Sequence, residues 1–160
     1  MTTEAFRQYR IDQARNYLEQ VSGARRHIAA LNARAEELRS LADGIRGIAY
    51  DVVKAKVGVY ADAIPDAIAD LVELSELAMQ DAADYADMVS ACSVALASLG
   101  GWQADLLDMH YLGGMTLVEI GEMDGWNHDR FYMSTLHIQA LDAFYDHMPY
   151  VGREPRHPAI

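Results

Sequence analysis

The chain has 160 residues, a formal net charge of -11 and 51% apolar residues, enough for one core or a small core with an elongated element. It contains no run of eighteen apolar residues, so no membrane partner is expected, and its start, MTTEAFRQYR, lacks the apolar stretch of a signal peptide. The single cysteine, Cys92, excludes an internal disulfide and fits a reducing, cytoplasmic setting. A strongly acidic balance repels phosphate backbones on average, so contact with nucleic acid has to be local or assisted.

Residues 4–46 contain no proline, and apolar residues recur at three-four spacing: Ala14, Tyr17, Val21, Ala24, Ile28, Leu31, Ala35, Leu38, Ala42 and Ile45. That seam predicts a long coiled-coil helix. Arg25, Arg34 and Arg39 flank it. Residues 47–63 lose the heptad, are rich in β-branched side chains and hold Gly47, Gly58 and the only lysines, Lys54 and Lys56. They read as an irregular connection that can include a helical turn.

A second seam runs through Ile68, Leu71, Ser75, Ala78, Ala82, Tyr85, Val89, Cys92, Leu96 and Leu99, predicting a helix over about 64–99 that ends at Gly100-Gly101. Two seams of similar length joined by a modest connection predict an antiparallel hairpin over residues 1–101. Val72, Leu74, Leu77, Met79 and Met88 broaden the apolar face of the second helix beyond what one partner helix covers. A third layer is needed, either the C-terminal unit or a second copy of the hairpin, so a homodimer through the hairpin is one expectation. The acids of this helix fall on outer positions and read first as a solvated face; a surface for a basic partner, or one imitating the charge of DNA, is the sharper alternative. Asp81 alone stands where it could meet a helix-one arginine.

Residues 102–148 show three helical patterns separated by Gly113-Gly114 and Gly125-Trp126-Asn127. Thr116-Leu117-Val118-Glu119 forms a capping box, with Met115 and Ile120 at the staple positions around it. Gly125 suits the left-handed end of the middle helix, and Asn127 suits the cap of the next, which starts near His128. A short capped helix, a glycine turn and a longer helix define a helix-turn-helix. Its core is expected to comprise Leu106, Leu112, Leu117, Ile120, Met123, Trp126, Phe131 and Leu136. The tail, 149–160, carries Pro155 and Pro158 and is expected to be poorly ordered. The fold class is therefore all-α: a long hairpin followed by a three-helix unit.

The run from Leu106 to Met123, with Tyr111-Leu112-Gly113-Gly114 leading into Thr116-Leu117-Val118-Glu119-Ile120-Gly121, resembles the fourth region of bacterial sigma factors. With the preceding hairpin, the layout is similar to the ArpU-type phage and prophage transcriptional regulators. The resemblance implies transcription regulation through double-stranded DNA, together with the host RNA polymerase.

In a helix-turn-helix the second helix enters the major groove and its first residues reach base edges. That nominates Asn127, His128, Arg130, Tyr132 and Met133 for DNA contact, with Ser134 as a backbone contact. Arg130 suits a guanine edge and Asn127 an adenine edge, or simply the cap. Arg130 is the only fixed cation of that helix, so isolated binding should be weak, with affinity supplied by a dimer, a basic partner protein or RNA polymerase. The alternative is a protein–protein adaptor that keeps the fold without touching DNA. The unit's acids motivate it: Asp105, Asp108, Glu119, Glu122, Asp124, Asp129, Asp142 and Asp146. His110, His128, His137 and His147 form no metal-ligand spacing, and no nucleophile-base pair, phosphate loop or cofactor fingerprint is present. No metal, no cofactor and no enzymatic activity are expected.

Overall fold

A computed structural model describes residues 2–55 and 63–149 of the chain. Helix α1 spans Thr3–Ala55 and α2 spans Ala63–Leu99. They are followed by α3 (Gly101–Leu107), which widens into a π-helical turn over Asp108–Leu112. Then come α4 (Leu117–Gly121), α5 (Arg130–Phe144) and a single 3₁₀ turn (Tyr145–His147). Helices α1 and α2 pack together as a hairpin, no strand occurs among the described residues, and the protein is all-α. No helix among them is long and apolar enough to cross a membrane.

The two seams lie where the periodicity puts them. Every position of both, from Ala14 to Ile45 and from Ile68 to Leu99, is buried or half-buried. The irregular connection does not begin at Gly47, because α1 continues to Ala55. β-branched residues and glycine lower helix propensity by less than about 1 kcal/mol each, and no proline forces a break before Pro65. The rest of that connection, 56–62, and the tail from residue 150 lie outside the described residues.

The chain divides into two compact units, and both long helices contribute to each. One comprises residues 1–25 and 87–160, the other residues 26–86. In the first, Ile11, Ala14, Leu18 and Val21 of α1 and Cys92, Ala95 and Leu96 of α2 share a core with Leu106, Leu107, Ile120, Met133, Leu141 and Phe144. Here the C-terminal helices form the third layer. Most of these large side chains are fully buried, each worth about 1.5–3 kcal/mol of transfer free energy. Tyr17 stacks on Phe144 at 6.0 Å between ring centroids.

The second unit is a two-helix hairpin with a thin seam of Ala35, Leu38, Ala42, Ser75, Ala78 and Ala82. His27 meets Tyr85 ring to ring at 5.1 Å, and Arg39 donates to Met79 Sδ. Asp81 makes no ion pair with α1 among the described residues.

Candidate nucleic-acid interface

The grammar of the turn is visible in its caps. The Thr116 hydroxyl accepts from the Glu119 N–H at 3.1 Å, which starts α4. Met115 and Ile120 pack into the core on either side of that cap, as a hydrophobic staple requires. After Gly121 the chain turns through Gly125, at φ 92°, and Asn127, at φ 48°. Both are left-handed positions, natural for glycine and tolerated by asparagine. The His128 N–H then donates back to the Gly121 carbonyl at 3.0 Å and closes the turn.

Because Asn127 is spent on this left-handed position, it does not cap α5. Asp129 does, its carboxylate accepting from the Tyr132 N–H at 2.8 Å, and the helix starts at Arg130 rather than near His128.

Arg130, Tyr132 and Ser134 are exposed on the first turns of α5, and Asn127 and His128 are exposed in the approach to it. Met133 is not available to a ligand: it is fully buried, with its Cγ packed close to Gly121. Phe131, expected in the core, is 75% exposed instead, and Met123 is 38% exposed. Met133, Leu136 and Ala140 form the buried face of α5, and Phe131 stands about 200° around the helix from Met133, whereas Met123 lies in the turn between α4 and α5. Trp126 is half-buried against the core, as are Leu112 and Leu117, with Leu106 and Ile120 fully inside.

Two ring pairs organise the exposed face. The Arg130 guanidinium lies 5.2 Å from the Phe131 ring centroid, and His128 meets Tyr132 edge to face at 4.4 Å. A shallow cleft lined by Trp102, Gly125, Trp126, His128 and Leu136 adjoins them. The Ser134 hydroxyl donates to the Arg130 carbonyl at 3.1 Å, so its oxygen still has acceptor capacity.

The charge surrounding this face differs from the simple census. Arg10 donates to both Asp142 (2.9 Å) and Asp146 (2.7 Å), and Arg7 adds a contact to Asp142 at 3.5 Å. The two carboxylates hold the Arg10 guanidinium above its ordinary range, the Asp146 hydrogen bond being the larger influence. Two of the unit's acids are therefore neutralised by α1, a pairing at a separation of 132 residues or more that no periodicity reveals. Asp129 is occupied by its cap.

Behind α5, Tyr111 of the π-helical turn hydrogen-bonds His137 Nε2 at 2.8 Å, and His110 lies beside them, its Nδ1 2.7 Å from the Met115 carbonyl oxygen. Burial, with His110 and Arg15 nearby, pushes His137 down to about 4, and burial pushes the Tyr111 phenol up. Both groups are neutral at physiological pH and act as structural ties. Burial likewise pushes the Cys92 thiol up to about 12, with Asp108 adding to it, which leaves the thiol unreactive. No group of three or more metal-ligating side chains converges among the described residues.

Comparison of the chain with protein-family models, curated proteins and solved structures finds no match.

Proposed function

We propose that this protein is a transcription regulator of the phage or prophage type, which docks the N-terminal end of α5 in a DNA major groove together with the host RNA polymerase. The observation that carries this reading is the outward presentation of His128, Arg130, Tyr132 and Ser134 at the start of a helix held by a doubly capped turn. In that role Arg130 reads a guanine edge, the exposed Phe131 ring contacts a thymine methyl, and Ser134 positions the backbone. With Arg130 as the single fixed cation of α5, polymerase supplies most of the affinity.

A mobility-shift titration against prophage promoters, at low salt and with and without polymerase, tests this. A shift that grows with polymerase is expected. Arg130→Ala should cost about 1–3 kcal/mol and relax specificity at one base pair. Absence of any shift under all of these conditions sinks the reading.

The protein–protein adaptor is a second reading, supported by the exposure of Phe131, two residues from Asp129, on an acidic unit. It is distinguished by binding to purified polymerase in the absence of DNA. Nuclease-resistant binding that is weakened by Phe131→Ala but not by Arg130→Ala favours the adaptor.

A further inference from the structure

The hairpin of residues 26–86 buries mainly alanine along its seam, yet leaves three leucines in water. Leu41 is 50% exposed, Leu74 50% and Leu77 56%. These leucines share one side. Arg39 and Met79 touch across the hairpin, and at about 100° per residue Leu41 stands about 200° around α1 from Arg39, and Leu74 about 140° around α2 from Met79. Leu41 and Leu74 therefore flank the seam on the side away from that contact, with Leu77 one turn beyond Leu74.

Charge is arranged along the same side. Arg34 precedes Leu41 by seven residues and Asp81 follows Leu74 by seven, so each extends its leucine stripe by two turns. From residue 65 to 86, α2 carries six carboxylates and no lysine or arginine, whereas α1 sets Arg26, Arg34, Arg39 and Arg46 against Glu36, Glu37 and Asp43 over residues 26–47. The ion pairs of those arginines among the described residues, Arg34–Glu37 and Arg46–Asp43, stay within α1. Among the described residues none of the α2 carboxylates forms an ion pair with α1.

We infer that this face is closed by a second copy of the chain, with the two hairpins related by a two-fold axis parallel to their helices. Such an axis sets α1 of each copy over α2 of the other. The Arg39–Met79 contact fixes the register: Leu41 is level with Leu77, and Arg34 is within one turn of Asp81. Each leucine stripe then covers the partner's, and Arg34 of each copy reaches the partner's Asp81 at both ends of an isologous contact. The Arg34–Asp81 pairings at the two ends complement one another, whereas an axis across the helices would set α1 on α1 and the acidic α2 on the acidic α2. The inference does not depend on what the helix-turn-helix unit binds.

Sedimentation velocity of the full chain over a wide concentration range, without DNA, tests the inference. A dimer is expected, and Leu74→Glu or Leu77→Glu should weaken it about tenfold or more with helical content by circular dichroism unchanged. The exposed variants Arg34→Glu and Asp81→Arg, which spare the seam, should each dimerise poorly alone. Mixed in equal amounts they should associate, because in the mixed dimer one pair is reversed and the other is native, and neither is repulsive. A chain that stays monomeric at every concentration, or a mixture of the two variants that stays as weak as either alone, overturns it.

Discussion

A Cβ on Gly121 would stand 2.6 Å from the His128 carbonyl oxygen and 2.9 Å from Met133 Cγ. The first neighbour is backbone, held by the hydrogen bond that closes the turn, and cannot swing away. The second fills the core beneath α5 in a fully buried position. Gly121→Ala therefore has to open the turn or displace Met133. A loss of about 1–3 kcal/mol is expected in urea denaturation, the usual range for overpacking a well-filled site. The start of α5 would shift with it, so the arrangement of Arg130 and Phe131 should also change, visible as altered amide resonances over residues 126–134. An alanine variant as stable as the parent would mean that the turn has slack the distances deny.

At the scale of elements, α5 is tied to the π-helical turn by the Tyr111–His137 hydrogen bond and to α1 by Arg10. The first tie carries a pH dependence whose sign follows from its environment. Burial first, then His110 and Arg15, holds His137 at about 4 in the folded protein, below its ordinary 6.5. Between these values the unfolded chain binds a proton that the folded one refuses, so stability is complete above about pH 6.5 and falls as pH drops toward 4. The loss by pH 5 should be on the order of 1–2 kcal/mol, allowing for partial solvation of the ring. His137→Gln removes the titrating group, so the difference in unfolding free energy between variant and parent should itself change with pH over this window. A difference that stays constant from pH 7 to 5 would contradict the burial of that imidazole.

The elements also show where sequence reading stops. Seams, the Thr116 cap and the staple were legible because each is a local pattern with one cheap geometry; Gly125 is left-handed as expected, but α4 ends before it, at Gly121. The start of α5 was not, because Asn127 and Asp129 are both good caps two residues apart, and only the backbone shows that Asn127 takes the left-handed position. Phe131 and Met133 stand about 200° apart on α5, so only one of them faces the core, and it is Met133. The π-helical turn was hidden too, since no side-chain pattern separates it from an α-helix over five residues. Its Gly113, where a Cβ would meet the Met109 carbonyl oxygen at 2.5 Å, is the one local trace of it. The Arg10–Asp142–Asp146 cluster joins opposite ends of the chain and has no periodic signature.

For the whole molecule, the division of the two long helices between units predicts uneven stability along single, continuous helices. Residues 9–21 of α1 lie against Leu106, Leu107, Leu141 and Phe144 in a three-layer core, whereas residues 28–45 have only the alanine-rich seam of α2. Transfer free energy scales with buried apolar area, so the second unit has a smaller barrier to local opening even though its backbone hydrogen bonds are equally regular. Hydrogen exchange of the full chain should show α1 amides protected most strongly before Arg25 and less beyond it, with α2 showing the mirror-image gradient that rises after Asp87. Raising the protein concentration should slow exchange selectively in residues 28–45 and 68–86, because association covers Leu41, Leu74 and Leu77 and stabilises only the state that binds. Equal protection along both helices at low concentration would mean that α1 and α2 open as one cooperative element and that the thin seam is sufficient by itself. A gradient that persists unchanged at high concentration would instead leave the leucine stripe uncovered and separate the stability argument from the association argument.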